Sequence, residues 1–225
     1  MAKINIIDCG IKDYIAVLAM QEKAVASLQA GSDEEIIFVV EHPPVITLGA
    51  RTENNRLLKN NDAIKKAGVE IVQIRRGGGS TAHNPGQLVI YPIINLKKHN
   101  LGVSDYVHLL EKIGIEFLAQ LGVKSETKKS FPGLWIKNAD YAEVKIKNPR
   151  NPWLKIASIG VQVKKWVTFH GIAININNDL SIFDLIVPCG LDNVIMTSAK
   201  KELCKEINIE NSKKILTKIV LQSFN

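Results

Sequence analysis

Cys189 and Lys155 are the two residues whose types could do covalent chemistry together. Cys189 sits in Asp184-Leu-Ile-Val-Pro-Cys-Gly190, and Lys155 opens the apolar run Lys155-Ile-Ala-Ser-Ile-Gly-Val-Gln-Val163. Between them lies Thr168-Phe-His-Gly-Ile-Ala173. A thiol beside a lysine makes a nucleophile and its activator, which suits acyl transfer through a thioester. Free cysteines are commonly inert, small and buried. Cys189 differs from Cys9 and Cys204 in its flanks: Pro188 and Gly190 put it in a turn. Lys155 stands among small apolar residues, where partial burial suits a lysine to pass protons.

The second chemical feature is Arg75-Arg-Gly-Gly-Gly-Ser-Thr-Ala-His-Asn-Pro-Gly-Gln87. Three consecutive glycines let the backbone approach a ligand closely. A phosphate-binding loop or a dinucleotide fingerprint would open a helix. Here the glycines lead through Asn84-Pro-Gly86 into another strand, so both nucleotide readings fail. His83 shares the loop. His170 lies in an apolar strand, where a core role and a site role are equally open.

These residues need a scaffold of mixed elements. Residues 11–29 carry apolar side chains at helical spacing, and 56–67 and 212–223 also read as helices. Ser104 is the expected N-cap of a helix reaching Leu121. Ile36–Val40, Val45–Gly49, Val69–Ile74 and Leu88–Tyr91 read as strands, as do 133–136 and 155–177 with a turn at Lys164-Lys165. Pro43-Pro44 interrupts the first two strands, and Pro92 marks an edge or a bulge. Residues 178–190 read as a loop. The pattern predicts one α/β (α+β) domain over 1–225, a mixed β-sheet flanked by helices.

Composition narrows the function classes. The chain has 225 residues and a formal charge of +7. Three scattered cysteines make no disulfide framework, and no Cys-x-x-Cys or His-x-x-x-His pair suggests a metal. No stretch approaches the ~20 apolar residues of a membrane span. The first ten residues lack the order of a secretory signal, so a cytoplasmic location is expected. The basic surface suits an acidic partner. Clustered basic residues interleaved with aromatics do not occur, which counts against nucleic acid.

Five segments, in order, resemble the lipoyl(octanoyl)transferases: Glu41-His-Pro-Pro-Val-Ile-Thr-Leu-Gly49, Arg76-Gly-Gly-x-x-Thr-x-His-x-Pro-Gly-Gln87, Lys155-Ile-x-Ser-Ile-Gly160, Phe169-His-Gly-Ile-Ala-Ile-Asn175 and Pro188-Cys-Gly190. The resemblance spans roughly residues 36–200 and implies the fold of the biotin and lipoate protein ligases. It implies Cys189 as acyl-thioester nucleophile and Lys155 as the lysine that lowers the thiol pKa. It implies an acyl pocket lined by Arg76, Gly77, Gly78, Gly79, Ser80, Thr81, Ala82 and His83, by Ser158, Ile159 and Gly160, and by Gly171, Ile172 and Ala173. Octanoyl-acyl carrier protein would be the donor. Lipoyl domains of 2-oxoacid dehydrogenase complexes and the glycine cleavage H protein would be acceptors. No cofactor, ATP or metal would be needed, and a monomer is expected.

Two departures from the family pattern stand out. Ala82 replaces a frequent tyrosine in a loop expected to line the pocket, which leaves space that either stays open to longer acyl chains or is filled by a neighbour. The stretch Tyr141–Trp153, with Asn148-Pro-Arg-Asn-Pro152, is longer than the usual hairpin and reads as a flap near Lys155. Two rivals remain: an ATP-dependent lipoate ligase of the same fold, and a non-catalytic protein that binds acyl carriers or lipoyl domains.

Overall fold

The computed structural model describes residues 3–137 and 153–224. Most of the 141–153 stretch therefore lies outside the described residues. In chain order the elements are β1 (Lys3–Ile11), α1 (Tyr14–Gln29), β2 (Glu34–Glu41), β3 (Val45–Leu48), α2 (Asn61–Lys66), β4 (Glu70–Gln73), β5 (Thr81–His83) and β6 (Gln87–Ile93). They continue with α3 (Val103–Gln120), β7 (Glu126–Lys128), β8 (Phe131–Lys137), β9 (Trp153–Lys164), β10 (Val167–Asn175), β11 (Ile195–Met196), α4 (Ala199–Leu203) and α5 (Ile209–Phe224).

The large sheet runs β1-β2-β6-β10-β9-β8-β7, with β11 paired to β9. Parallel pairs (β1 with β2, β11 with β9) join antiparallel ones, so the sheet is mixed. Strand side chains alternate between faces. Val39 and Ile90 point into a core with Tyr106, Leu110 and Phe117 of α3 and Leu216 and Ile219 of α5. Val40 and Val89 point the other way, onto Val17, Val25 and Leu28 of α1. Helices thus cover both faces, as the mixed-sheet reading expects. Each fully buried Leu, Ile or Val contributes about 1.5–3 kcal/mol by leaving water. A small sheet, β4-β3-β5, stands beside the large one.

Several boundaries differ from the sequence reading, each for a local reason. Helix α1 begins at Tyr14 rather than residue 11, because the Asp13 carboxylate accepts the Ala16 N–H at 2.8 Å and caps it. Ile11 belongs to β1 and is exposed. Asn60 caps α2 in the same way, which shortens the 56–67 helix to Asn61–Lys66. Gly102, not Ser104, is the N-cap of α3, and the Asp105 carboxylate accepts its N–H. The β9–β10 turn is made by Lys165 and Trp166, both at positive φ.

Pro92 lies inside a central strand, not at an edge. The β6–β10 ladder runs only over Gln87–Ile90 and Ile172–Asn175. Near Pro92, which has no N–H, β10 breaks from the ladder. The Thr168 hydroxyl donates to the Pro92 carbonyl at 2.6 Å, and the His170 N–H turns to the Gln21 side chain at 2.9 Å. His170 itself sits at φ 58°. This interruption opens the sheet beside the glycine loop.

Candidate active site

Cys189 lies in a one-turn 3₁₀ segment, Pro188–Gly190, at φ 59° and ψ 12°. A non-glycine residue in this left-handed region is held by its surroundings. Here the Cys189 N–H donates to the Ser80 carbonyl at 2.8 Å, and the Ser80 hydroxyl donates to the Val187 carbonyl at 3.0 Å. Gly190 follows at φ 70°. A Cβ there would come within 2.6 Å of the Asn54 Cβ, so glycine is required on both counts.

Lys155 is 2% exposed, and its Nζ donates to Cys189 Sγ at 3.3 Å. The same ammonium donates to the Pro132 carbonyl at 3.2 Å and sits 4.9 Å from the Trp135 ring centroid. A bulge explains its aim. Leu134 pairs with Ala157 and Trp135 with Lys155, leaving Ile156 as an extra residue in β9. Such an extra residue reverses the alternation of side chains. Lys155 and Ser158, three residues apart, both reach Cys189.

Electrostatics favour the thiolate. Burial pushes the Cys189 thiol up, but the charge and hydrogen bond of Lys155, the charge of Arg76 and the Ser158 hydroxyl outweigh it, and the thiol ends below its ordinary value. Arg76 is itself buried. Its guanidinium donates to the Thr47 carbonyl and hydroxyl at 2.8 Å and to the Gly77 carbonyl at 3.1 Å. These partners are neutral, so its charge is free to act on the thiol. Burial lowers the Arg76 pKa without removing that charge.

Cys189 stands where two cavities meet. The inner one is a narrow cleft. Arg76, Gly77, Gly78, Thr81 and His83 line one wall, and Ser158, Ile159, Gly160, Gly171, Ile172 and Ala173 line another. The outer cavity is a wider groove floored by Lys155 and Cys189 and edged by Val103, Val107, Lys128, Lys129 and Leu191. Arg51, Lys128 and Lys129 make its rim basic.

Three residues of the expected pocket lie elsewhere. Ala82 is fully buried against Ile46, Ile64, Phe183 and Ile186, on the far side of β5 from the cavity. Thr81 and His83 face the cavity, so alternation turns Ala82 away. Gly79 packs on Asn54, where a Cβ would meet the Asn54 carbonyl oxygen at 2.2 Å. Ser80 supports Cys189 from behind. The expectation that Ala82 lines the pocket is therefore corrected: it does not border this cavity.

Four lining residues come from outside the expected set: Tyr14, Val89, Tyr91 and His170. The three ring residues among them join His42 and His83 in a buried cluster. His42 Nδ1 lies 2.7 Å from the Lys12 carbonyl and must donate to it, so its Nε2 accepts from the Tyr91 hydroxyl at 2.9 Å. Gln87 fixes His83: its Nε2 donates to Asn175 Oδ1, leaving Oε1 to accept from His83 Nδ1 at 2.7 Å. Burial keeps these imidazoles neutral, with His42 down to about 4, His170 to about 3 and His83 well below its ordinary value. Tyr14, hydrogen-bonded to Tyr91, is raised by burial to about 12. The cluster thus presents neutral rings to the cavity. The signal that could have found His42 was its place in Glu41-His-Pro-Pro44; nothing in the sequence pointed to Tyr14.

Comparison with known proteins follows this geometry. The family described as lipoyl protein ligase A/B catalytic domain matches residues 13–220. The chain belongs to that family. Curated members similar to it include the octanoyltransferase of Maridesulfovibrio salexigens, 34% identical over 209 residues that cover 93% of this chain and 91% of that one. The octanoyltransferase of Desulfotalea psychrophila is 37% identical over 220 residues, covering 97% and 93%. Among solved structures, a lipoate-protein ligase A bound with ATP superposes with a TM-score of 0.72 at 14% identity, covering 99% of this chain and 85% of that one. Biotin protein ligase from Aquifex aeolicus in complex with biotin and ATP gives 0.52 at 11% identity, covering 100% and 71%. These structures share the family's fold, as the resemblance implied.

Proposed function

We propose that this chain moves an octanoyl group from the thioester of acyl carrier protein to a lysine of a lipoyl domain, through a thioester on Cys189. The 3.3 Å approach of Lys155 Nζ to Cys189 Sγ, at the junction of the two cavities, carries this reading. The octanoyltransferase names of relatives similar over nearly the whole chain support octanoyl transfer in protein lipoylation.

The acyl chain occupies the inner cavity, and the groups joined to its carbonyl occupy the outer groove. Cys189 thiolate attacks the donor carbonyl. A Cys189 S–C bond forms, the donor C–S bond breaks, and the carrier thiolate takes a proton from Lys155. The acceptor amine then attacks the acyl-enzyme. A C–N bond forms, the C–Sγ bond breaks, and the neutral Lys155 amine takes the proton that the acceptor nitrogen loses. Thioester to thioester exchange is nearly balanced, and thioester to amide runs downhill, so ATP has no part. Substrate-binding roles fall to Arg76, Gly77, Gly78, Thr81, His83, Ser158–Gly160 and Gly171–Ala173.

Intact-protein mass spectrometry tests the reading. Incubation with octanoyl-carrier protein and no ATP should add one octanoyl group to Cys189, and a lipoyl domain should remove it. Modification of the acceptor only with free octanoate and ATP would establish a ligase instead. Carrier binding with neither acylation nor transfer would establish a binding protein.

A further inference from the structure

Glu111 is a buried carboxylate that the transfer above does not use. It projects from α3, is 5% exposed, and borders the outer groove. One oxygen, Oε1, accepts the Gly133 N–H at 3.3 Å. The other, Oε2, lies 3.0 Å from His108 Nδ1.

The Gly133 N–H and the Pro132 carbonyl belong to one peptide unit. That carbonyl accepts from Lys155 Nζ at 3.2 Å, and Lys155 Nζ donates to Cys189 Sγ at 3.3 Å. The array therefore runs from the Glu111 carboxylate through one rigid amide to the Lys155 ammonium and on to the sulfur. A trans peptide is planar, with its N–H and C=O on opposite sides. A carboxylate at the N–H end and a cation at the oxygen end favour the same polarisation, so the two hydrogen bonds reinforce each other. Gly133 makes the arrangement possible. It sits at φ 122°, and a Cβ there would come within 2.4 Å of the Ala157 carbonyl oxygen and 3.0 Å of Lys155 Cε.

We propose that Glu111 is a positioning residue for the transfer reaction: acting through the Pro132–Gly133 peptide, it fixes the Lys155 ammonium against Cys189. This rests on the reading of Lys155 and Cys189 as a working pair. Other charged groups face the array. Arg76 stands on the inner side, and His108, Arg51, Lys128 and Lys129 stand around the groove.

The test separates positioning from a bare charge, because the two have opposite signs. Removing a nearby negative charge by itself favours the thiolate and lowers the pH at which Cys189 is half-alkylated. Losing the anchor of Lys155 raises it. Glu111→Met keeps the volume and removes the acceptor; Glu111→Gln keeps volume and acceptor and removes the charge. Iodoacetamide alkylation of Cys189 against pH should shift upward in Glu111→Met, and acylation should slow about 10- to 100-fold, the range for one hydrogen bond to a charged group. Glu111→Gln should recover most of both losses. An unchanged or lowered midpoint in Glu111→Met, or a Gln variant as impaired as the Met variant, overturns the proposal. Thermal melting checks folding, and Glu111→Ala provides a second truncation, either folded truncation being decisive. His108→Gln controls for that neighbour's contact with Oε2. Lys155→Met run in parallel separates the two ideas. If it too leaves the midpoint unmoved, the Lys155–Cys189 pair fails; if it alone shifts, only the Glu111 proposal fails.

Discussion

Lys155 Nζ and Cys189 Sγ, separated by 34 residues in the chain, lie 3.3 Å apart at the junction of two cavities. The pair is held from both sides. Cys189 is fixed by a left-handed backbone and a bond to the Ser80 carbonyl; Lys155 is fixed by the Pro132 carbonyl and the Trp135 ring.

Cys189→Ser should abolish the acyl-enzyme and nearly all transfer. A serine hydroxyl is far less acidic, and a lysine alone activates it poorly. Cys9→Ser and Cys204→Ser should leave the rate close to the parent's, since neither residue lines either cavity. Intact mass and transfer assays read both effects, and full activity in Cys189→Ser would end the covalent mechanism.

Replacing Lys155 by methionine should raise the Cys189 thiol, because its largest lowering influences are the charge and hydrogen bond of Lys155. The thiolate fraction at neutral pH then falls, and general acid–base help worth about 10²–10⁴-fold is lost. Methionine fills the lysine's space without leaving a buried charge. Alkylation rate against pH gives the shift directly; an unaltered profile would remove Lys155 from the chemistry.

Ala82→Tyr should destabilise the protein without changing acyl-chain preference. The side chain points into the cluster of Ile46, Ile64 and Phe183, where overpacking costs typically 1–3 kcal/mol. Thermal melting reads the loss. Comparing octanoyl, decanoyl and dodecanoyl transfer reads preference, and a narrowed range in the tyrosine variant would contradict the orientation of β5.

Stability should fall as the solution is acidified below about pH 6.5. His42 and His170 are held neutral, at about 4 and about 3. Between those values and the ordinary imidazole pKa the unfolded chain binds more protons than the folded one, so stability rises with pH through this window. Melting temperature measured from pH 7 to pH 4 should decline, and His42→Gln, tested for folding at pH 7, should flatten the decline. A slope unaffected by any histidine substitution would assign acid sensitivity elsewhere.

Much of this protein was legible in its sequence. The β-branched runs at Ile36–Val40 and Leu88–Tyr91 became central strands, whose two faces are covered by α1 on one side and α3 and α5 on the other. The flanks of Cys189 marked a turn, and the glycines before a strand excluded a phosphate loop. The orientation of Ala82 was not legible, because Thr81-Ala82-His83 follows the glycines as loop by sequence and alternates only once paired with β3. Tertiary structure alone decided the rest. The extra residue at Ile156 reverses the parity of β9 and brings Lys155 and Ser158 to one sulfur, and no local pattern announces a bulge that depends on pairing with β8. The ring cluster gathers Tyr14, His42, His83, Tyr91 and His170 from five separate segments. Glu111 reads as one more polar position on an amphipathic helix until α3 is laid against β8, where its carboxylate meets the Gly133 N–H. Residue type and local spacing determine which groups can act; the pairing of distant strands and helices determines which of them meet.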